Sequence, residues 1–251
     1  MEFCSSAGKS DELLRRLANL DLSSNSTPQH PPPLPPQHIR VDSHTGPSTP
    51  QQSSSSELVT ITMAMRKLRE GIVASHRLDT FATQAYIFCI RLSILTKNSE
   101  SYHPALLHLL RRIHTILPLS PTELQEFAGY MILDLACRQH DLAQAYSIRN
   151  KYKVRDTKID GVLRAVTHDD YWLFWKVKGS ADGYKAKLME WAEDRVRRQA
   201  LKCLGRTYFG MDLRSLEGLA GERWDILVEQ YGVGWLLEGE KVVIRKPKTK
   251  G

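Results

Sequence analysis

The sequence has 251 residues, of which 41% are hydrophobic and 25% charged, a composition that allows one sizeable folded domain with additional segments. Its formal net charge is +7, and residues 1–56 hold four Lys/Arg against five Asp/Glu, so about +8 belongs to the remainder, a bias that suits acidic partners, RNA among them. The scattered Cys4, Cys89, Cys137 and Cys203 form no C-x-x-C pair and fit a reducing compartment, while the most apolar run, 86–95, is too short for a bilayer and contains Arg91. No membrane partner is therefore expected, and without a secretory signal the expected location is cytoplasmic and nuclear.

In chain order, residues 11–22 read as a short helix with Ser10 as N-cap and Leu13, Leu14, Leu17 and Leu20 towards one side. Between Pro28 and Pro50 lie eight of the twelve prolines, among Ser, Thr, Gln and His. Such a stretch cannot bury enough apolar surface to offset its ordering entropy, so residues 1–56 are expected to be a disordered leader. Its Pro32-x-x-Pro35 and Pro33-x-x-Pro36 spacings fit polyproline ligands, and Thr27 and Thr49 precede prolines as phosphorylation sites do.

Order is expected from Glu57. The first helix, 58–74, carries Met65, Leu68 and Ile72 between charges; the second, 81–96, is apolar nearly all round and therefore central. A third spans 104–116. Ser120-Pro121-Thr122-Glu123 combines an N-cap, a proline at the first helical position and a glutamate that closes a capping box, opening a fourth helix that runs to Arg138. A fifth, 142–152, is entered through Asp141. Helices joined by such short turns predict a right-handed helical array over 57–179. At its end, Thr167 is placed to cap a helix over 169–178, where Tyr171, Trp172, Leu173, Phe174, Trp175 and Val177 leave almost no polar face and are expected in the core.

Residues 180–251 read as a long helix from Tyr184, then two short helices and a hairpin. Val196, Ala200, Cys203, Leu204 and Thr207 share one face of the long helix. Asp212 caps the next, which Gly221 closes. Trp224, Leu227, Val228 and Tyr231 form the stripe of the last, which Gly232 and Gly234 end. Trp235 to Glu238 and Lys241 to Arg245 flank the Gly239-Glu240 turn as a β-hairpin. This order predicts a winged helix, with Trp224 and Trp235 in its core. The fold class is thus mainly α, a right-handed helical array followed by a C-terminal winged helix with a short β-hairpin.

Several of these residues carry a family resemblance. Tyr208, Asp212-Leu213, Leu219-Ala220, the helix ending at Tyr231, Gly234-Trp235 and Val242-Val243-Ile244 resemble the end of the PCI family, and Asp170-Tyr171-Trp172-Leu173-Phe174-Trp175 is similar to the segment leading into it. The resemblance runs from Ala82 to Pro247. It points to the small-subunit branch, which holds COP9 signalosome subunit 8, the small regulatory subunit of the proteasome lid and subunit k of translation initiation factor 3. It implies a non-catalytic scaffold of a large complex, in the signalosome or proteasome lid sooner than in initiation factor 3. Its partners would be other PCI subunits, joined at a wing edge over Trp235, Leu236, Leu237 and Glu238 or over Lys241, Val242, Val243, Ile244 and Arg245. The alternative is a nucleic-acid-binding PCI protein of the messenger-RNA-export type.

No residue pattern demands catalysis, cofactor, metal or small-molecule substrate. Asp169 and Asp170 sit where a helix dipole favours acids, and His103, His108 and His114 are spaced so that a helix does not gather them. Arg195, Arg198, Lys202 and Arg206 continue one line of the long helix and join Arg245, Lys246, Lys248 and Lys250 as a surface for an acidic partner or RNA. The other reading of that line is a solvated face with pairs such as Asp194 with Arg198 and Glu193 with Arg197. Against groove reading of DNA, the last helix exposes Glu222, Asp225 and Glu229.

Overall fold

The computed structural model describes residues 50–245, and the chain divides into two compact units, Met1–Arg77 and Leu78–Gly251. The predicted helix at 11–22, the proline-rich run before Pro50, and Lys246, Lys248 and Lys250 lie outside the described residues. In the first unit α1 (Pro50–Ala74) begins ahead of the predicted Glu57. Proline is tolerated there because the first N–H groups of a helix have no partner within it. Met65 and Ile72 are buried on α1, whereas Leu68 is exposed.

The second unit opens with α2 (Thr80–Leu95), where the Asp79 carboxylate accepts the Ala82 N–H at 2.9 Å. Its buried Tyr86, Ile87, Ile90, Leu92 and Ile94 make it the central helix its composition predicts. The next helix, α3 (Ser99–His108), starts earlier than the predicted Pro104 because Asn98 caps it, accepting the Ser101 N–H at 3.1 Å. It continues through a π-helical stretch, Leu109–Ile113, and a last turn, His114–Ile116. Helix α4 (Pro121–Leu133) has the predicted capping box, with the Glu123 N–H donating to Ser120 Oγ at 3.3 Å and the Ser120 N–H to Glu123 Oε2 at 3.1 Å. A second π-helical stretch, Asp134–Gln139, extends α4, and α5 (Leu142–Lys151) follows its predicted Asp141 cap.

A helix that the sequence reading passed over, α6 (Thr157–Thr167), comes next, capped by Asp156. Thr167 therefore ends α6, its hydroxyl donating to the Leu163 carbonyl at 2.7 Å, and the cap of α7 (Tyr171–Ser180) is Asp170, which accepts the Leu173 N–H at 2.9 Å. On α7, Phe174 and Val177 are buried, but Trp172 is 54% exposed, contrary to the expected all-core cluster. Ten residues wound at 100° each must point one of these aromatic side chains outward.

The predicted long helix is two helices, α8 (Gly183–Met189) and α9 (Glu193–Thr207). Between them the Ala192 N–H donates to the Met189 carbonyl at 2.9 Å, three residues back, which tightens the turn. Lys97 holds the break, pairing with Glu190 at 3.1 Å and lying 5.0 Å from the Trp191 ring centre. Residues on both sides of 179/180 fall within the one unit Leu78–Gly251. Helix α7 packs on α6 and α8, and also on α9 and α10 (Leu213–Ala220).

The end of the unit is α10, α11 (Trp224–Tyr231) and three short strands, β1 (Gly210–Asp212), β2 (Leu236–Glu238) and β3 (Lys241–Val243). All pairings are antiparallel and the spatial order is β1-β3-β2, with Val243 opposite both Gly210 and Leu236. The hairpin is as predicted; β1 is an addition. It approaches β3 so closely that a Cβ on Gly210 would lie 2.9 Å from the Val242 carbonyl oxygen, so a residue of poor strand propensity is required. Leu204, Leu216, Ala220, Leu227 and Val242 form the core here, with Trp224 and Trp235 partly buried against it.

Candidate functional site

What holds the C-terminal helices together is a residue the sequence reading placed in solvent. Arg197 is 5% exposed. Its Nε donates to the Ala220 carbonyl at 3.1 Å and Nη2 to the Gly221 carbonyl at 3.2 Å, the free carbonyls at the end of α10. Nη1 donates to the Tyr231 hydroxyl at 2.7 Å on α11. The guanidinium lies 5.2 Å from the Trp175 ring centre and 5.3 Å from that of Tyr231, and Glu222 and Glu193 face it at 3.4 and 3.7 Å. The expected surface pair of Glu193 with Arg197 is therefore an interior one, and Glu222 belongs to it instead of to an exposed acidic stripe. Trp175 adds a bond from Nε1–H to the Leu219 carbonyl at 3.1 Å. Gly221, with φ +67°, brings backbone so near that a Cβ would sit 2.3 Å from the Trp175 ring.

On this frame the two ends of the sheet differ. Strand β3 pairs on both sides, so Lys241, Val242 and Val243 offer no open edge, a correction to half of the predicted wing edge. The N–H groups of Ile244 and Arg245 are also taken, donating to the Phe209 carbonyl at 2.8 and 3.0 Å. The outer edge of β2 is unpaired within the sheet, and there Leu236 is 54% and Leu237 40% exposed, with Glu238 also exposed and Trp235 turned inward. Val228 on α11 is a further exposed apolar residue.

The predicted basic line is divided. Arg198 is exposed but paired with Asp194 at 2.9 Å. Arg195 is half-buried, with Nε and Nη2 enclosed. Lys202 and Arg206 are exposed one turn apart on α9. Arg245 meets that helix end, its Nη2 donating to the Arg206 carbonyl at 2.8 Å while its guanidinium lies 5.1 Å from the Phe209 ring centre. Asp212, Glu217 and Glu240 line an open cleft with Leu213 and Arg214 at the other end of β1.

In the helical part, the densest polar group surrounds buried Asp134. Its carboxylate accepts from Tyr102 at 2.7 Å, from Arg138 at 2.6 and 2.8 Å and from Gln139 at 2.7 Å, and faces His103 Nδ1 at 2.9 Å. Burial alone would raise this carboxyl, but the donors outweigh it and hold the group below the usual carboxylate range. Four donors on one carboxylate tie α3 to α4, which is a structural use. Among the described residues no group of three or more His, Cys, Asp and Glu is placed to hold a metal ion, and no helix is long and apolar enough to cross a membrane. A scan against family models matches none, and a search of curated proteins finds no match.

Proposed function

We propose that this chain is a non-catalytic scaffold subunit of a multi-subunit complex, of the PCI type, acting in the cytoplasm and nucleus. The two short helices and the sheet are read as its winged helix and the preceding helices as its array. The sequence resemblance favours the COP9 signalosome or proteasome lid over initiation factor 3. The observation that carries the reading is the β2 edge: unpaired backbone groups beside exposed Leu236 and Leu237 offer a partner strand both hydrogen bonds and apolar contact. The strand is short and ends in Glu238, but it carries neither the lysine nor the proline that most strongly protects an edge.

Affinity purification of the tagged full chain, with co-purifying proteins identified, tests the proposal. Other PCI subunits should be recovered with the natural chain and lost with Leu236→Lys/Leu237→Lys, whose side chains are exposed and whose replacement leaves the core intact. Recovery of no such subunit, or unchanged recovery with the double variant, would overturn the proposal.

A further inference from the structure

At the opposite edge of the sheet, where β1 begins, the chemistry is different, and we infer that it forms a binding site for single-stranded nucleic acid, with Phe209 as the stacking platform. The ring is 58% exposed, yet its backbone is fixed, because the Phe209 carbonyl accepts from both Ile244 and Arg245. An exposed aromatic on a pinned backbone is preorganised, and stacking a base on it costs little ordering. Arg245 reaches across the ring to the last carbonyl region of α9, so ring, guanidinium and helix end are adjacent. From that helix end Arg206 and Lys202 extend along one exposed face. Proteins that hold single strands without reading sequence combine these parts: an aromatic face for the base and cations along the backbone path.

Charge favours a polyanion over an apolar partner strand at this end. Among the described residues no carboxylate is paired to Lys202, Arg206 or Arg245, whereas Arg198, farther along α9, is neutralised by Asp194. The carboxylates of Asp212, Glu217 and Glu240 gather at the far end of β1, where they would repel phosphate and confine a strand to the Phe209 end. In sequence, Lys246, Lys248 and Lys250 follow directly. The inference does not depend on the scaffold reading, since one surface lies at the β1 edge and the other at the β2 edge, with β3 between them.

The test uses the full chain and a labelled single-stranded oligouridylate, followed by fluorescence anisotropy. With three phosphate contacts, binding should weaken roughly 20-fold between about 50 mM and 200 mM salt. Phe209→Leu keeps an apolar side chain but removes the π face, and should weaken binding by at least about five-fold, while Phe209→Trp should preserve it. Lys202→Glu/Arg206→Glu should flatten the salt dependence. All these side chains are exposed, and an unchanged melting temperature confirms that each variant is folded. Absence of salt-dependent binding by the natural chain, or equal binding by Phe209→Leu and the natural chain, overturns the proposal. If polyglutamate displaces the oligonucleotide as well as unlabelled oligouridylate does, the site belongs to an acidic protein partner instead.

Discussion

Replacing Arg197 by methionine is the most informative single perturbation of this fold. Methionine keeps the apolar stem that packs beside Trp175 and Tyr231, but it removes every donor. The carbonyls of Ala220 and Gly221 lose their side-chain donor, the Tyr231 hydroxyl loses the one from Arg197, Glu222 loses its cation, and Glu193 is left with Lys178 alone. Breaking a buried charge pair on one side costs about 3–5 kcal/mol. That range applies here, even with both carboxylates partly exposed, because the guanidinium serves α9, α10 and α11 at once. For a chain of this size, the loss should lower the melting temperature by roughly 6–20 °C. Denaturant unfolding gives the free energy, and hydrogen exchange locates the loss, which should concentrate in α10, α11 and the sheet. Arg197→Lys should recover only part of it, since an ammonium cannot serve two carbonyls and a hydroxyl with a planar fork. A loss below about 1 kcal/mol would refute the clamp, because surface ion pairs are worth no more than that.

Gly221→Ala should destabilise the same region, since it adds a Cβ against Trp175 at a positive φ; circular dichroism melting of this variant beside Gly218→Ala, which meets nothing within 4 Å, isolates the steric effect. The Asp134 carboxyl is depressed on folding, so its stabilisation is fully present above the unfolded value of about 4 and disappears as pH falls through the lower folded value. Asp134→Asn should therefore cost about 3 kcal/mol at neutral pH and remove part of the acid-side slope in urea unfolding measured against pH. Burial pushes the Cys137 thiol up to about 12, and Cys89 is also buried, while Cys203 is partly accessible. In native protein a thiol reagent followed by mass spectrometry should label Cys203 well before either of the others.

Local signals in the sequence were decisive wherever one residue type controls the outcome. Ser120 and Glu123 close their box, Asp141 and Asp212 cap, Gly221 and Gly232 terminate, and Gly239 turns the hairpin. What escaped was settled by contact at a distance. The stripe of Ile159, Val162, Leu163 and Val166 has helical spacing, but it is interrupted by Gly161, which is needed where α6 meets Val177 of α7. Strand β1 holds a single apolar residue, Met211, and exists because β3 reaches it. The helix break at 190–192 has no glycine or proline to announce it and is anchored by Lys97, far away in sequence. Of the candidate sites, the hairpin was visible as a pattern, but which strand keeps an open edge was not. Arg197 looked like any i,i+4 partner of Glu193, and the carbonyls that draw it inside come from another helix.

The order of the strands also bears on synthesis and truncation. Strand β3 is the last of the three to emerge, about 30 residues after β1, and both other strands bond only to it. At roughly 5–20 residues per second, β1 waits a few seconds with no sheet partner while α10 and α11 are being made. A premature stop just before Lys241 would remove one short strand from the count, yet it would abolish every ladder in the sheet and strip Val242 from the core. Such a product would keep most of its helices while exposing Leu216 and Leu227, the surface that quality-control proteases and chaperones recognise.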